Sequence, residues 1–146
     1  MPEESRNSQP DSRNPQYAQT GYGTGNWGYT PDMNELPEVA AFLETLPGFE
    51  LLDDAAVAEA ASAISVAYFT AGSVILEIGA TNTELHIIRS GAVELRDADG
   101  DLVARSAEGE VFGLPSLLNA APARNEARAL EDTLVYQLDG STLARL

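Results

Sequence analysis

The sequence predicts a mainly β domain with flanking short helices, in the form of a small antiparallel barrel or sandwich. Apolar residues recur every three or four positions before Ala67 and every second position after it, which marks a change from helix to strand periodicity. Short apolar runs then follow at intervals of about ten residues, separated by turns that contain Gly or Asp. Composition also changes near residue 33, where a polar leader gives way to a globular sequence.

The 146-residue chain is 44% apolar, which is enough to bury the core of one domain. Acidic residues outnumber basic ones by 23 to 8, all the basic residues are Arg, and the formal net charge is −15. This charge disfavours binding to nucleic acid or to anionic membranes, because their phosphates would be repelled. We therefore expect a small molecule, another protein or a neighbouring domain as the partner.

The residue types that the chain lacks exclude several kinds of catalytic and metal-binding site. The chain has no cysteine and a single histidine, His86, so it lacks thiolate nucleophiles and multi-histidine metal centres. The sequence contains no phosphate-binding Walker loop and no Gly-x-Ser-x-Gly nucleophile motif, so we expect a protein that is not an enzyme and has no metal site. His86 lies in a predicted strand and is interpreted as a hydrogen-bonded structural imidazole. No segment has the pattern of a membrane span or signal peptide, so we expect a cytoplasmic protein.

Residues 1–33 are predicted to form a disordered tail rich in Gly, Tyr and Asn. The first 30 residues contain no Leu, Ile, Val or Phe, so they cannot bury enough apolar surface to offset the loss of chain entropy. Two interpretations stay open: a flexible leader, or a segment whose aromatic residues dock on a partner. The aromatic residues in question are Tyr17, Tyr22, Trp27 and Tyr29.

Residues 34–146 are predicted to form the folded domain. Helices are expected near residues 37–45, 54–65 and 141–146, with Asp53 or Asp54 capping the second and Asp139 offering a cap for the third. The antiparallel region is expected over residues 68–138, with its last two strands paired to each other. The predicted strands are residues 73–78, 84–89, 92–96, 102–105, 126–130 and 133–138.

Three segments carry a resemblance to a known family. Residues 69–79, 86–93 and 108–113 resemble the strand-and-glycine patterns of the cyclic nucleotide-binding domain, and the similarity extends over about residues 42–146. The resemblance implies an antiparallel β-roll (a jelly-roll-like double-stranded β-helix) whose C-terminal lid helix is truncated here. Residues 111–118 and 128–136 further resemble a bacterial subgroup in which this domain precedes CBS and nucleotidyltransferase-like domains.

The resemblance also places a phosphate-binding cassette after Phe112. In the family, a short helix, a Glu and an Arg bind the cyclic phosphate and ribose. Leu114 occupies the position of that Glu, Ala123 occupies the position of the Arg, and Arg124 follows one residue late. A charge-assisted hydrogen bond contributes about 1.5–3 kcal/mol, so losing both weakens binding by roughly a hundredfold to ten-thousandfold. The candidate ligand-binding residues are Gly113, Leu114, Ser116, Leu117, Ala123, Arg124 and Arg128.

Some of these candidates have specific expected roles. The backbone N–H groups near Ser116 and Leu117, at the start of the cassette helix, remain available to an anion. The Ser116 hydroxyl adds a further donor. Arg128, on the following strand, either supplies the missing positive charge or pairs with Glu126 or Glu131 at the surface.

Two functions remain open at this point. The first is a regulatory ligand-sensing module with an altered cassette that binds cyclic nucleotide weakly or binds another nucleotide. The second is a ligand-free protein-interaction or assembly module that uses the aromatic tail for docking. No cofactor follows from the residues themselves, and the ligand class that the resemblance implies is a cyclic or other nucleotide.

Overall fold

The computed structural model describes residues 26–146, which form two antiparallel sheets and a layer of helices. The five-stranded sheet has the order β1-β2-β9-β4-β7, and the four-stranded sheet has the order β3-β8-β5-β6. This mainly antiparallel β-roll with short helices confirms the predicted fold class. The strands are β1 (Trp27–Tyr29), β2 (Ser65–Phe69), β3 (Val74–Leu76), β4 (Glu84–Ser90), β5 (Ala92–Arg96), β6 (Leu102–Ala107), β7 (Val111–Phe112), β8 (Glu126–Ala129) and β9 (Thr133–Asp139).

The helices confirm the predicted positions to within a few residues. They are α1 (Leu36–Leu43), α2 (Asp54–Ala63), α3 (Leu114–Leu118) and α4 (Gly140–Arg145), with a 3₁₀ turn at Phe49–Leu51. The Asp53 side chain caps α2 by accepting from the N–H of Ala56 at 2.8 Å. The Asp139 side chain caps α4 in the same way, accepting from the N–H of Thr142 at 2.7 Å. No described helix has the length and apolar character needed to cross a bilayer.

The core lies in two layers, one on each face of the five-stranded sheet. On one face, α1 and α2 pack against β4 and β9 through residues such as Leu43, Ile64 and Ile87, all of which are fully buried. On the other face, the two sheets enclose smaller clusters around Phe69 and Phe112. Alternation along β4 and β9 sends successive side chains to opposite layers, as the period of two predicted.

The pairing of the last two strands was predicted wrongly. We expected residues 126–130 and 133–138 to pair with each other, but β8 pairs with β3 and β5 whereas β9 pairs with β2 and β4. The chain crosses from one sheet to the other between them, and Thr133 is fully buried at this crossing. Sequence alternation identifies a strand but does not identify its neighbour, which is why the error arose.

The expected boundary of the disordered tail also differs from the structure. Trp27–Tyr29 forms β1, which extends the five-stranded sheet by pairing with β2. Asn26 fixes the start of this strand: its buried side chain accepts from the N–H of Thr70 at 2.7 Å and donates to the Ser73 hydroxyl at 3.2 Å. The sequence predicts disorder here because the first 30 residues contain no Leu, Ile, Val or Phe.

The aromatic residues of β1 pack on the domain itself. The Trp27 ring stacks on Tyr68 with centroids 5.2 Å apart and on Tyr29 at 5.9 Å. The prediction that Trp27 and Tyr29 are available to dock on a partner is therefore corrected, because ring stacking and strand pairing occupy them within the chain. Tyr17 and Tyr22, the other two candidates for docking, lie outside the described residues.

A left-handed residue closes α3. The N–H of Ala121 donates to the carbonyl of Ser116 at 3.0 Å, which leaves Ala120 at the C′ position with a φ of +51°. This conformation usually belongs to glycine, since a side chain there crowds the backbone. Ala120 is the one non-glycine residue with a positive φ in the described part of the chain.

Replacing Ala120 with glycine should stabilise the domain. We expect Ala120→Gly to raise the free energy of unfolding by about 0.5–1 kcal/mol, because it removes the strain of the left-handed conformation. Ala121→Gly is the matched control and should lower stability, since Ala121 has no positive φ to relieve. Urea titration followed by circular dichroism measures both effects. Equal losses in the two variants would contradict the assignment of strain to Ala120.

Trp27 provides a direct test of the intramolecular position of β1. It is the only Trp of the chain, so its emission has no Trp background. We expect a blue-shifted maximum and limited acrylamide quenching in dilute protein, and Tyr68→Ala should increase the quenching by removing the stacked ring. Fully quenchable emission in the parent protein, or no response to Tyr68→Ala, would show that β1 is not held against β2.

Candidate functional site

A cavity of about 690 Å³ lies where the predicted cassette meets the four-stranded sheet. Its volume is typical of sites for small organic ligands. The wall is formed by β3, β5, the turn between β5 and β6, and the segment from β7 through α3 to β8. The lining residues are Leu76, Leu95, Asp97, Ala98, Asp99, Val111, Phe112, Gly113, Leu114, Pro115, Ser116, Asn119, Ala121, Pro122, Ala123, Arg124 and Asn125.

Both departures from the family pattern border this cavity. Leu114 is half-buried at the start of α3, and Ala123 is buried with 4% of its surface exposed. Ala123 is held by backbone hydrogen bonds in both directions: its N–H donates to Ala80 at 2.9 Å, and its carbonyl accepts from Gly79 at 2.8 Å. The positions that would carry the Glu and the Arg are therefore occupied by apolar residues, and Leu114 also packs against the core between the helices and the five-stranded sheet.

Three charged side chains line the same cavity. Arg124 is exposed and makes no ion pair or hydrogen bond through its side chain with any described residue. Asp97 and Asp99 approach from the turn between β5 and β6. The backbone N–H groups of Asp99 and Asp101 donate to the Asp97 carboxylate, each at 3.0 Å, so Asp97 stabilises this turn. The lining thus carries two negative charges and one positive charge.

The Ser116 hydroxyl is committed to internal hydrogen bonds. It donates to the carbonyl of Gly113 at 3.1 Å and accepts from the Asn82 side-chain amide at 3.2 Å. With 8% of Ser116 exposed, the hydroxyl fixes the first turn of α3 instead of presenting a free donor. The role expected for Ser116 as a hydroxyl donor to a ligand is corrected on this point.

Two other candidates lie away from the cavity. Leu117 belongs to the core between the helices and the five-stranded sheet, where it packs near Gly140. Arg128 donates to the carbonyl of Gly72 at 2.7 Å and forms an ion pair with Glu126 at 3.2 Å. The Glu126 pair was one of the two alternatives considered for Arg128. The expectation that Arg128 supplies positive charge to the site is wrong in this structure, because its guanidinium is held elsewhere.

Asn82 connects the cassette to the five-stranded sheet, and the sequence analysis missed it. Its Nδ2 donates to the Gly113 carbonyl at 2.8 Å, and its Oδ1 accepts from the N–H of Glu84 at 3.3 Å. His86 Nε2 lies 3.1 Å from the same Oδ1, which assigns the proton to Nε2. The only signal in the sequence was a polar residue four positions before the single histidine.

His86 is a buried residue of β4, and its ring stacks on Phe112 of β7. Its ring lies parallel to Phe112 with centroids 4.9 Å apart, and 4% of the residue is exposed. Burial lowers the pKa of His86 from 6.5 to about 4, because the imidazolium would lose its hydration there. The hydrogen-bonded structural role expected for His86 agrees with these contacts.

The His86 pKa predicts a loss of stability in acid. Below pH 6.5 the unfolded chain takes up a proton that the folded chain does not, so the free energy of unfolding falls until the pH approaches 4. Between pH 7.5 and 5.0 this residue should account for a loss of about 2 kcal/mol. His86→Phe keeps an aromatic ring on Phe112 but cannot titrate. In urea titrations, the free energy of unfolding of the variant should therefore fall between pH 7.5 and 5.0 by about 2 kcal/mol less than that of the parent protein. Equal losses in parent and variant would contradict the assignment.

The profile of the cyclic nucleotide-binding domain matches residues 66–146. Among solved structures, the regulatory domain of Toxoplasma gondii PKA with cAMP is 21% identical with a TM-score of 0.73, over 77% of this chain and 45% of that one. The regulatory subunit of a cAMP-independent protein kinase A from Trypanosoma cruzi, bound to guanosine, is 25% identical with a TM-score of 0.70, over 77% of this chain and 41% of that one.

A third structure is the sensor domain of the transcriptional regulator DNR from Pseudomonas aeruginosa. It is 14% identical with a TM-score of 0.71, over 77% of this chain and 79% of that one. The chain spans less than half the length of the two kinase regulatory chains, and no curated protein matches it. The profile covers more than half of the chain, from β2 through α4, and therefore shows that the chain belongs to the cyclic nucleotide-binding domain family.

Proposed function

We propose that this chain is a regulatory ligand-sensing domain whose cavity binds cyclic nucleotides weakly and accepts a nucleoside-type ligand in their place. The observation that carries the proposal is the pair Leu114 and Ala123 on the cavity wall. A cyclic phosphate placed there would meet apolar side chains where the family offers a carboxylate to the ribose and a guanidinium to the phosphate. Without those two partners, the phosphate would lose its hydration and gain too few hydrogen bonds from the protein in return.

The charges around the cavity support the same preference. Asp97 and Asp99 repel a phosphate, while Arg124 contributes one positive charge from an exposed position. A nucleoside carries hydroxyl and N–H donors that carboxylates accept, and it has no phosphate to be repelled. The largely apolar remainder of the wall suits a purine ring. The related Trypanosoma cruzi structure, whose protein is bound to guanosine, gives this ligand class a precedent.

Leu117 could transmit a ligand-induced shift of α3 to α4 at the C-terminal end of the domain. It follows Ser116 on α3, and a methyl group placed on Gly140 would lie only 2.9 Å from the Leu117 Cδ1. Gly140 begins α4, which is also tied to α2 by the ion pair between Arg145 and Glu59 at 2.9 Å. We propose that a ligand that shifts α3 moves α4 through this contact and so signals to a neighbouring domain.

The proposed action is binding without catalysis. Among the residues that line the cavity, the Ser116 hydroxyl is already hydrogen-bonded on both sides, and His86 is not part of the wall. The alternative of a ligand-free docking module has less support, because Trp27 and Tyr29 pack against the domain's own sheet. A cytoplasmic location and kinship with the bacterial subgroup that precedes CBS domains stay predictions.

Ligand titration tests the proposal. We expect guanosine or adenosine to raise the melting temperature more than cyclic AMP or cyclic GMP at equal millimolar concentration. Isothermal titration should give a dissociation constant for cyclic AMP well above the micromolar range. Submicromolar binding of cyclic AMP by the parent protein would contradict the proposal.

A double substitution tests the assignment of the two positions. Leu114→Glu with Ala123→Arg should strengthen cyclic AMP binding by roughly a hundredfold to ten-thousandfold, because it supplies two charge-assisted hydrogen bonds. The matched control combines Leu118→Glu with Ala123→Arg, since Leu118 is 67% exposed on the same helix and does not border the cavity. Equal gains in the two double variants would show that position 114 does not face the ribose.

A further inference from the structure

The turn between β5 and β6 contributes polar residues to the wall of the cavity beside α3. Asp97, Ala98 and Asp99 of this turn line the cavity. Hydrogen bonds within the hairpin hold the turn in place: the N–H of Gly100 donates to the Asp97 carbonyl at 2.9 Å, and the Arg96 guanidinium donates to the Gly100 carbonyl at 2.8 Å. A ligand in the cavity therefore meets two carboxylates on a well-ordered backbone.

The two carboxylates differ in what they already bind. Asp97 accepts from the backbone N–H groups of Asp99 and Asp101, each at 3.0 Å, so its carboxylate stabilises the turn. Asp99 is exposed, and its carboxylate forms no hydrogen bond or ion pair with any residue in the range 26–146. Both oxygens of Asp99 therefore remain available as acceptors for a ligand.

The apolar part of the wall suits the faces of a flat ring but does not distinguish one purine from another. Leu76, Leu95 and Phe112, from β3, β5 and β7, border the same cavity, and each is at least half-buried. Adenine and guanine have the same fused ring and differ in the polar groups on its edge. Discrimination between them therefore depends on the polar side chains of the lining.

A carboxylate meets different groups on the two purines. Guanine carries its N1–H and its N2 amino group side by side, so the two oxygens of one carboxylate accept from both donors. Adenine carries an N6 amino donor beside an N1 acceptor, and the lone pair of that N1 would face a carboxylate oxygen. A carboxylate with both oxygens available therefore favours guanine.

We propose that Asp99 makes the cavity selective for guanine nucleosides, its carboxylate accepting from the N1–H and the N2 amino group. This inference rests on the proposed function, nucleoside binding in the same cavity, and adds the base that the cavity prefers. Because Asp99 is exposed, water weakens the two charge-assisted hydrogen bonds. We expect the dissociation constant of guanosine to be about tenfold lower than that of adenosine.

Isothermal titration of the parent protein with guanosine, 1-methylguanosine and adenosine measures this preference. 1-Methylguanosine keeps the purine ring and the amino group but lacks the N1–H, so it should bind about tenfold more weakly than guanosine. Equal constants for guanosine and adenosine would overturn this inference and leave the proposed function standing. Absence of binding by all three nucleosides would overturn the proposed function, and this inference with it.

A matched pair of variants tests the assignment to Asp99. The amide of Asp99→Asn has one acceptor for the two donors of guanine, but it can donate to N1 of adenine and accept from its N6 amino group. This variant should bind guanosine more weakly and adenosine more tightly, which abolishes or reverses the preference. Asp101→Asn removes the same charge from the same turn, but Asp101 is not among the residues that line the cavity, so the preference should persist. An unchanged preference in Asp99→Asn, or an equal loss in both variants, would refute the role of Asp99.

Discussion

The side-chain amide of Asn82 is the contact on which the geometry of the cassette depends. Its Nδ2 donates to the Gly113 carbonyl and the Ser116 hydroxyl, while its Oδ1 accepts from Glu84 and His86. These groups come from the turn before β4, from β4 itself and from the first turn of α3. One buried amide therefore fixes the start of a short helix whose own five residues could not hold it in place.

Gly113 is required by the same contact. Its φ of +83° is left-handed, and a methyl group there would lie 2.8 Å from Asn82 Nδ2. Any side chain at this position would push the amide away from the two groups that it bonds on α3. The position of the cavity wall is thus set by the close approach of the Gly113 backbone to the Asn82 amide. This contact does not depend on which side chains line the cavity. This separation explains how Leu114 and Ala123 are accommodated without a change of fold.

The β-rich fold was largely predictable from local patterns in the sequence. The strand periodicity after Ala67, the turn around Gly100 and the caps at Asp53 and Asp139 are all short-range signals, and the structure contains each of them. The pairing of β8 and β9 with other strands depends on long-range contacts that no short-range signal encodes. The strand β1 was missed because its stability comes from ring stacking on Tyr68 and from the Asn26 hydrogen bonds, and neither produces apolar alternation.

The candidate site was predictable only for the cavity residues that belong to the continuous cassette segment after Phe112. Counting from Phe112 placed Leu114 and Ala123 on its wall, but it also included Leu117, which lies elsewhere. Arg128 was a candidate because it lies on the following strand, but its guanidinium is held by Gly72 and Glu126. A helix of a little more than one turn sends successive side chains in different directions, and the count does not resolve them. The acidic turn that supplies Asp97 and Asp99 enters from another hairpin, so residue spacing within the cassette contains no information about it.

The location of β1 at the end of the five-stranded sheet has a consequence for the handling of this domain. Without β1, the outer side of β2 would present unpaired backbone N–H and C=O groups at the three residues that β1 covers, Val66, Ala67 and Tyr68. An uncovered, largely apolar strand of this kind is a template for association between molecules. Trimming the chain at the compositional change near residue 33 would therefore remove a protective cover, and the shortened domain would tend to assemble edge to edge.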